Sequence, residues 1–158
     1  MKKIGSALYL AQAAVIAALY IVLTVLLAPI SYGLVQVRVS EALTVLPVLT
    51  PVAIPALFIG CLIANIFGGL GLVDILGGST ITLLAAFATY SLRHRPDVIP
   101  LLPPVLFNAF LLSVYLHVIL KVPYWLMVLS IGAGQTVAVY GLGLPLLRYL
   151  KKRRLFPE

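Results

Sequence analysis

In the stretch Tyr32 to Pro47, YGLVQVRVSEALTVLP, the residues Gln36, Arg38, Ser40 and Glu41 fall within six positions of a chain that is otherwise almost wholly apolar. Ionisable side chains in such surroundings are costly and mark functional sites by default. From Leu34 to Val39 apolar and polar residues roughly alternate, as in an extended segment with two faces. Gln36, Arg38 and Ser40 then share one face. Glu41 follows at a predicted helix start, with Ser40 placed to cap it. A guanidinium donates only, a carboxylate accepts only and an amide does both. The stretch reads as the polar lip of a ligand pocket.

The chain has only four acids. Asp97 sits among basic residues and Glu158 is terminal, which leaves Glu41 and Asp74. Asp74 lies in a predicted first turn, where the helix dipole favours an acid whatever else it does. Asn65, Asn108 and Gln135 add amides, and Tyr32, Tyr115 and Tyr140 offer rings that can stack on a flat ligand or close a pocket. Any one of these polar groups reads equally well as a helix-to-helix hydrogen bond. Gathered at one depth, they suit a small polar ligand with a hydrogen-bonding edge and a positive charge. No catalytic constellation is visible. There is no H-E-x-x-H, Walker A or nucleophile elbow, and His94 and His117 stand alone, so the chain does not read as an enzyme. Cys61 has no second cysteine for a disulfide or metal site, and no cofactor is implied.

These residues must be held by apolar helices. Of 158 residues, 63% are hydrophobic and 9% charged, and the mean hydropathy is +1.17. Uncharged runs separate Lys3 from Arg38, Glu41 from Asp74, Asp74 from Arg93, Asp97 from Lys121 and Lys121 from Arg148. Each is near or above the ~20 residues that span a bilayer as a helix. The fold class is an all-α integral membrane protein, a single transmembrane domain over residues 1–158. A β-barrel would alternate in segments of about 10 residues, which these do not. The net charge of +7 sits at the ends of apolar runs, as topology signals do, and not as a nucleic-acid surface. Lys2 and Lys3 open a run too long for a signal peptide, so it is read as the first helix.

Six embedded segments are expected. The first runs over 7–28 and ends at Pro29, with small residues at Ala7, Ala11, Ala14 and Ala18 and a second line at Ala13 and Ala17. Such lines serve close helix packing, within the protein or against a membrane partner. Next come the extended lip, a short or broken helix over 41–49 among Pro47, Pro51 and Pro55, and a helix over 53–67. Broken helices are tolerated at membrane depth where they line a cavity. Gly68, Gly69 and Gly71 make a turn. Further helices are predicted over 73–92, 98–120 and from about Pro123 to Tyr149. Both ends then share one side with Arg93, Arg95 and the basic tail, which the positive-inside rule makes cytoplasmic. Arg38, Glu41, Asn65 and Asp74 converge near the outer leaflet, with Asn108 and Gln135 as a floor.

The motif VQVRVSEALTVLP resembles the signature of the queuosine-precursor transporter family, the substrate-binding S components of energy-coupling factor transporters. ANIFGGLGLVDILGGS, LPPVLFNAF and YGLGLPLL extend the resemblance over nearly the whole chain. It implies a six-helix protein of the bacterial plasma membrane that captures a 7-deazaguanine such as 7-aminomethyl-7-deazaguanine. Uptake would be driven by a transmembrane coupling subunit and two ATPases. The class docks through an Ala-x-x-x-Ala pattern on the first helix, which Ala13 and Ala17 match, with Ala14 and Ala18 in the adjacent register. Glu41 or Asp74 would meet the ring N–H and amino group, and Arg38 or an amide the oxo group. The family pattern has an acid after a glycine of the last helix, where this chain has Gln135. That departure points to another precursor, such as 7-cyano-7-deazaguanine or queuine. Other vitamins or bases, and a membrane scaffold without cargo, are the alternatives.

Overall fold

The computed structural model describes residues 6–32 and 37–153, and among them every regular element is helical. Helix α1 (Ser6–Leu26) is followed by a single turn, α2 (Ala28–Ser31), with Pro29 in its first turn where no N–H is needed. A 3₁₀ helix (Val39–Val48) precedes α3 (Ala53–Gly68) and α4 (Leu72–Ser91). Two interrupted helices complete the chain: α5 (Leu102–Ile119) and α6 (Tyr124–Arg153). Each contains a π-helical stretch, Asn108–Leu112 in α5 and Val137–Gly143 in α6. Helices α1, α4, α5 and α6 are long and apolar enough to cross a membrane, whereas the 3₁₀ helix and α3 are shorter apolar segments. Large apolar side chains such as Leu8, Leu26, Phe67, Leu84 and Leu129 cover the outside, as in a protein solvated by lipid.

Three sequence expectations change. Gln36 and most of the predicted lip lie outside the described residues, and the extended backbone that is described ends at Arg38. Ser40 does not cap a helix. It lies inside the 3₁₀ helix, whose N-cap is Arg38, and its hydroxyl shares a 2.6 Å hydrogen bond with that of Thr24. Helix α5 begins at Leu102, not at 98, because Pro100 disfavours helical backbone at Ile99. Pro103 then falls in the first turn, where its missing N–H costs nothing.

The 3₁₀ helix is the hub. At three residues per turn its side chains stack in three columns, a period that the sequence does not announce. One column holds Ser40, Leu43 and Leu46. Ser40 meets Thr24, and the two leucines join Ile16 and Tyr20 of α1 and Leu57 of α3 in one core. The second holds Ala42, Val45 and Val48. Val45 and Val48 pack on Val139 and Leu147 of α6. A Cβ on Gly143 would lie 2.7 Å from Val45 Cγ1 and 3.0 Å from the Ala42 carbonyl oxygen, so glycine permits this contact. The third column holds Arg38, Glu41, Thr44 and Pro47, and supplies the polar groups described below. Every residue from Ser40 to Val48 is buried.

Helix α1 lies against α3 at a second close approach. A Cβ on Gly60 would stand 2.9 Å from Tyr20 Cβ and 3.2 Å from the Ala17 carbonyl oxygen. This contact fixes the rotation of α1. Ala17 is buried and Ala13 packs against the same core, while Ala7, Ala11, Ala14 and Ala18 face outward. The α3–α4 turn uses Gly69 at φ 70° and Gly71 at φ 90°, left-handed conformations that favour glycine.

Candidate functional site

Buried polar side chains gather around the third column in two linked groups. The first surrounds Glu41, which is 1% exposed. Tyr20 of α1 donates its hydroxyl to Glu41 Oε1. Asn108 Nδ2, from the π-helical stretch of α5, donates to Glu41 Oε2 at 3.2 Å. The Gln135 amide of α6 approaches the same carboxylate. One carboxylate therefore joins the 3₁₀ helix to α1, α5 and α6. Thr24 extends the group along α1: it donates to the Tyr20 carbonyl at 2.7 Å and meets Ser40.

The second group surrounds Asp74, which is fully buried in the first turn of α4. Tyr115 donates its hydroxyl to Asp74 Oδ1 at 2.9 Å. Asn65 Nδ2 donates to the Asp74 carbonyl at 3.0 Å. Arg38 Nη1 donates to Asn65 Oδ1 at 3.1 Å, and Arg38 Nε to the Ser31 carbonyl at 3.3 Å. The guanidinium lies 5.5 Å from the Tyr32 ring centroid, within cation–π range. Tyr32 in turn donates to the Ala64 carbonyl at 2.5 Å. Gly78 makes room for this group: a Cβ there would lie 2.7 Å from Asn65 Nδ2 and 3.2 Å from the Tyr115 oxygen.

Both groups are incompletely satisfied. Arg38 Nη2, Asp74 Oδ2, Asn108 Oδ1 and Gln135 Oε1 are buried and have no hydrogen-bond partner among the described residues. Native proteins leave few such atoms, and each calls for an explanation. Arg38 makes no ion pair with either acid; among the described residues the ion pair is Lys151–Asp97, at 2.6 Å on the exposed side of the α6 tail. A buried guanidinium and two buried carboxylates held apart in this way are costly as packing, and such groups in an apolar bundle mark a candidate site.

Of the nine residues singled out from sequence, Arg38, Asn65, Asp74 and Tyr115 form one group, Glu41, Asn108 and Gln135 the other, and Ser40 faces away to Thr24 of α1. Gln36 is outside the described residues. Tyr140 is elsewhere, donating to the Val98 carbonyl at 2.9 Å, so it neither stacks over nor closes this site. Tyr20 and Thr24 were not legible as site residues, because an aromatic and a threonine in an apolar helix read as packing. Their spacing of four, in line with Ile16 and Ala13 on the inward face, was the available signal.

One protein-family model, described as QueT transporter, matches residues 10–152. No curated protein and no solved structure was found to match the chain.

Proposed function

The chain belongs to the QueT transporter family, and from that premise we propose that it is the substrate-capturing S component of an energy-coupling factor importer. Its cargo is a queuosine precursor, a 7-deazaguanine base. The observation that carries this reading is the set of buried polar atoms without partners on Arg38, Asp74, Asn108 and Gln135. They offer one donor and three acceptors. A guanine-type base has the complement: an oxo acceptor beside ring and exocyclic N–H donors. Gln36 and Ser40 complete the proposed site residues.

In this reading the 3₁₀ helix and α3 count as embedded segments, making six. At ~1.5 Å per residue the 16 residues of α3 reach about 24 Å, short of the ~30 Å hydrocarbon core. Both are buried within the bundle for much of their length, where incomplete spans are tolerated. Both termini are cytoplasmic in a bacterial plasma membrane. The Lys151–Asp97 contact supports placing the basic tail and the 93–97 loop on one side.

The test is equilibrium binding to the detergent-purified chain. 7-Aminomethyl-7-deazaguanine and its 7-cyano analogue are compared with guanine, queuine, riboflavin and thiamine. Submicromolar to low-micromolar binding of a deazaguanine is expected. Preference for the cyano form over the aminomethyl form and queuine, which both carry a basic amine, would support Gln135 as the residue that sets charge preference. Binding of another vitamin alone would replace the cargo, and binding of none by folded protein would leave the scaffold reading.

Docking on the coupling subunit, and through it on two ATPases, is proposed for the outward alanine line. Ala13 and Ala17, the other candidate line, face α3, whereas Ala14 and Ala18 are exposed. Ala14→Leu with Ala18→Leu is expected to abolish co-purification with the coupling subunit and leave ligand affinity within about twofold, since neither residue touches the polar groups. Retained assembly would move the docking face off this line.

A further inference from the structure

The two acids are not equivalent, and the geometry points to Asp74 with Arg38 as the pair that reads the base edge, while Glu41 positions Asn108 and Gln135 behind it. This rests on the cargo class proposed above and deepens it. Both oxygens of Glu41 already accept hydrogen bonds, Oε1 from Tyr20 and Oε2 from Asn108. A carboxylate engaged by protein donors on both oxygens is an anchor. Asp74 differs: Oδ1 accepts from Tyr115, and Oδ2 is buried without a partner among the described residues.

Arg38 mirrors that arrangement. Its Nη1 donates to Asn65 while Nη2 is buried without a partner among the described residues. Asn65 joins the two, accepting from Arg38 at 3.1 Å and donating to the Asp74 carbonyl at 3.0 Å. One amide thus links the two residues that carry an unengaged donor and an unengaged acceptor, and these form no ion pair with each other. The matching ligand edge carries an acceptor beside a donor. In a 7-deazaguanine these are the 6-oxo group, for Arg38 Nη2, and the N1–H with the 2-amino group, for Asp74 Oδ2. Asn108 Oδ1 and Gln135 Oε1 lie on Glu41's side and face the opposite, five-membered ring, whose one N–H, N9–H, either can accept.

The experiment compares 7-aminomethyl-7-deazaguanine with analogues lacking the 2-amino group or the 6-oxo group, on the full chain in detergent. A site built to bond a group rejects the analogue lacking it, so each deletion is expected to weaken wild-type binding by about tenfold or more. In Asp74→Asn the penalty for losing the 2-amino group is expected to shrink to about twofold. In Glu41→Gln overall affinity falls but that penalty remains. Arg38→Lys should erase the 6-oxo penalty in the same way. The reverse pattern, with Glu41→Gln erasing the 2-amino penalty, overturns the assignment. That arm decides the question even where Asp74→Asn does not fold. Failure of the wild type to bind any deazaguanine is a different result, which removes the cargo reading itself.

Discussion

Glu41→Ala is expected to cost the protein both its ligand and a large part of its stability. The substitution leaves the Tyr20 hydroxyl and the Asn108 amide buried without their acceptor. An unsatisfied buried donor costs about 1–3 kcal/mol, so two such donors cost about 2–6 kcal/mol before any cavity is counted. The loss falls on the junction of four elements. Thermal unfolding in detergent should show a drop of many degrees, with binding undetectable. Glu41→Gln keeps the shape and one acceptor, and should retain the fold with weakened binding. A Glu41→Ala protein that melts with the wild type would mean that this carboxylate does not hold the bundle together.

Gly78→Ala carries the second large effect, and its sign is the informative part. In an ordinary helix interior, alanine improves on glycine by about 1 kcal/mol. Here the new Cβ would stand 2.7 Å from Asn65 Nδ2, 3.2 Å from the Tyr115 oxygen and 3.6 Å from Asp74 Oδ1. Asn65 must give way, and with it the bridge between Arg38 and the Asp74 carbonyl. Ligand affinity is expected to fall by at least about tenfold, because misplacement of a binding group by even ~1 Å is costly. The loss of these buried hydrogen bonds outweighs the propensity gain, so the melting temperature should fall where an ordinary glycine-to-alanine change would raise it. Gly141→Ala is the control, since nothing lies within 4 Å of its added Cβ. Equal affinity in the two variants would detach the Asn65 cluster from binding.

How much of this was legible beforehand differs by level. The helices were, because long apolar runs leave few alternatives and because Gly68 to Gly71 and the prolines mark the ends. The partition of the site was not. Sequence spacing brought Arg38, Glu41, Asn65 and Asp74 to one depth, but only side-chain partners separate an engaged carboxylate from an unengaged one. The period of 39–48 was hidden too. Pro47, Pro51 and Pro55 signal interruption but do not say that the chain tightens to three residues per turn. The capping role expected of Ser40 failed for that reason: the helix starts before it, and its hydroxyl turns to Thr24.

The three-column segment also sets a rule for how this stretch can vary. Each neighbour reads every third letter: hydroxyl and leucine for α1 and α3, alanine and valine for α6, charge and hydroxyl for the polar interior. A substitution stays within one column and is judged by one neighbour. A one-residue insertion or deletion instead permutes the columns cyclically, so that every neighbour receives another's letters. On an α-helix with one buried stripe, part of such an error can turn toward lipid. Here all nine residues from Ser40 to Val48 are enclosed, and the error has nowhere to turn. This segment should therefore be more sensitive to a change of length than to a change of letter that keeps its column's character.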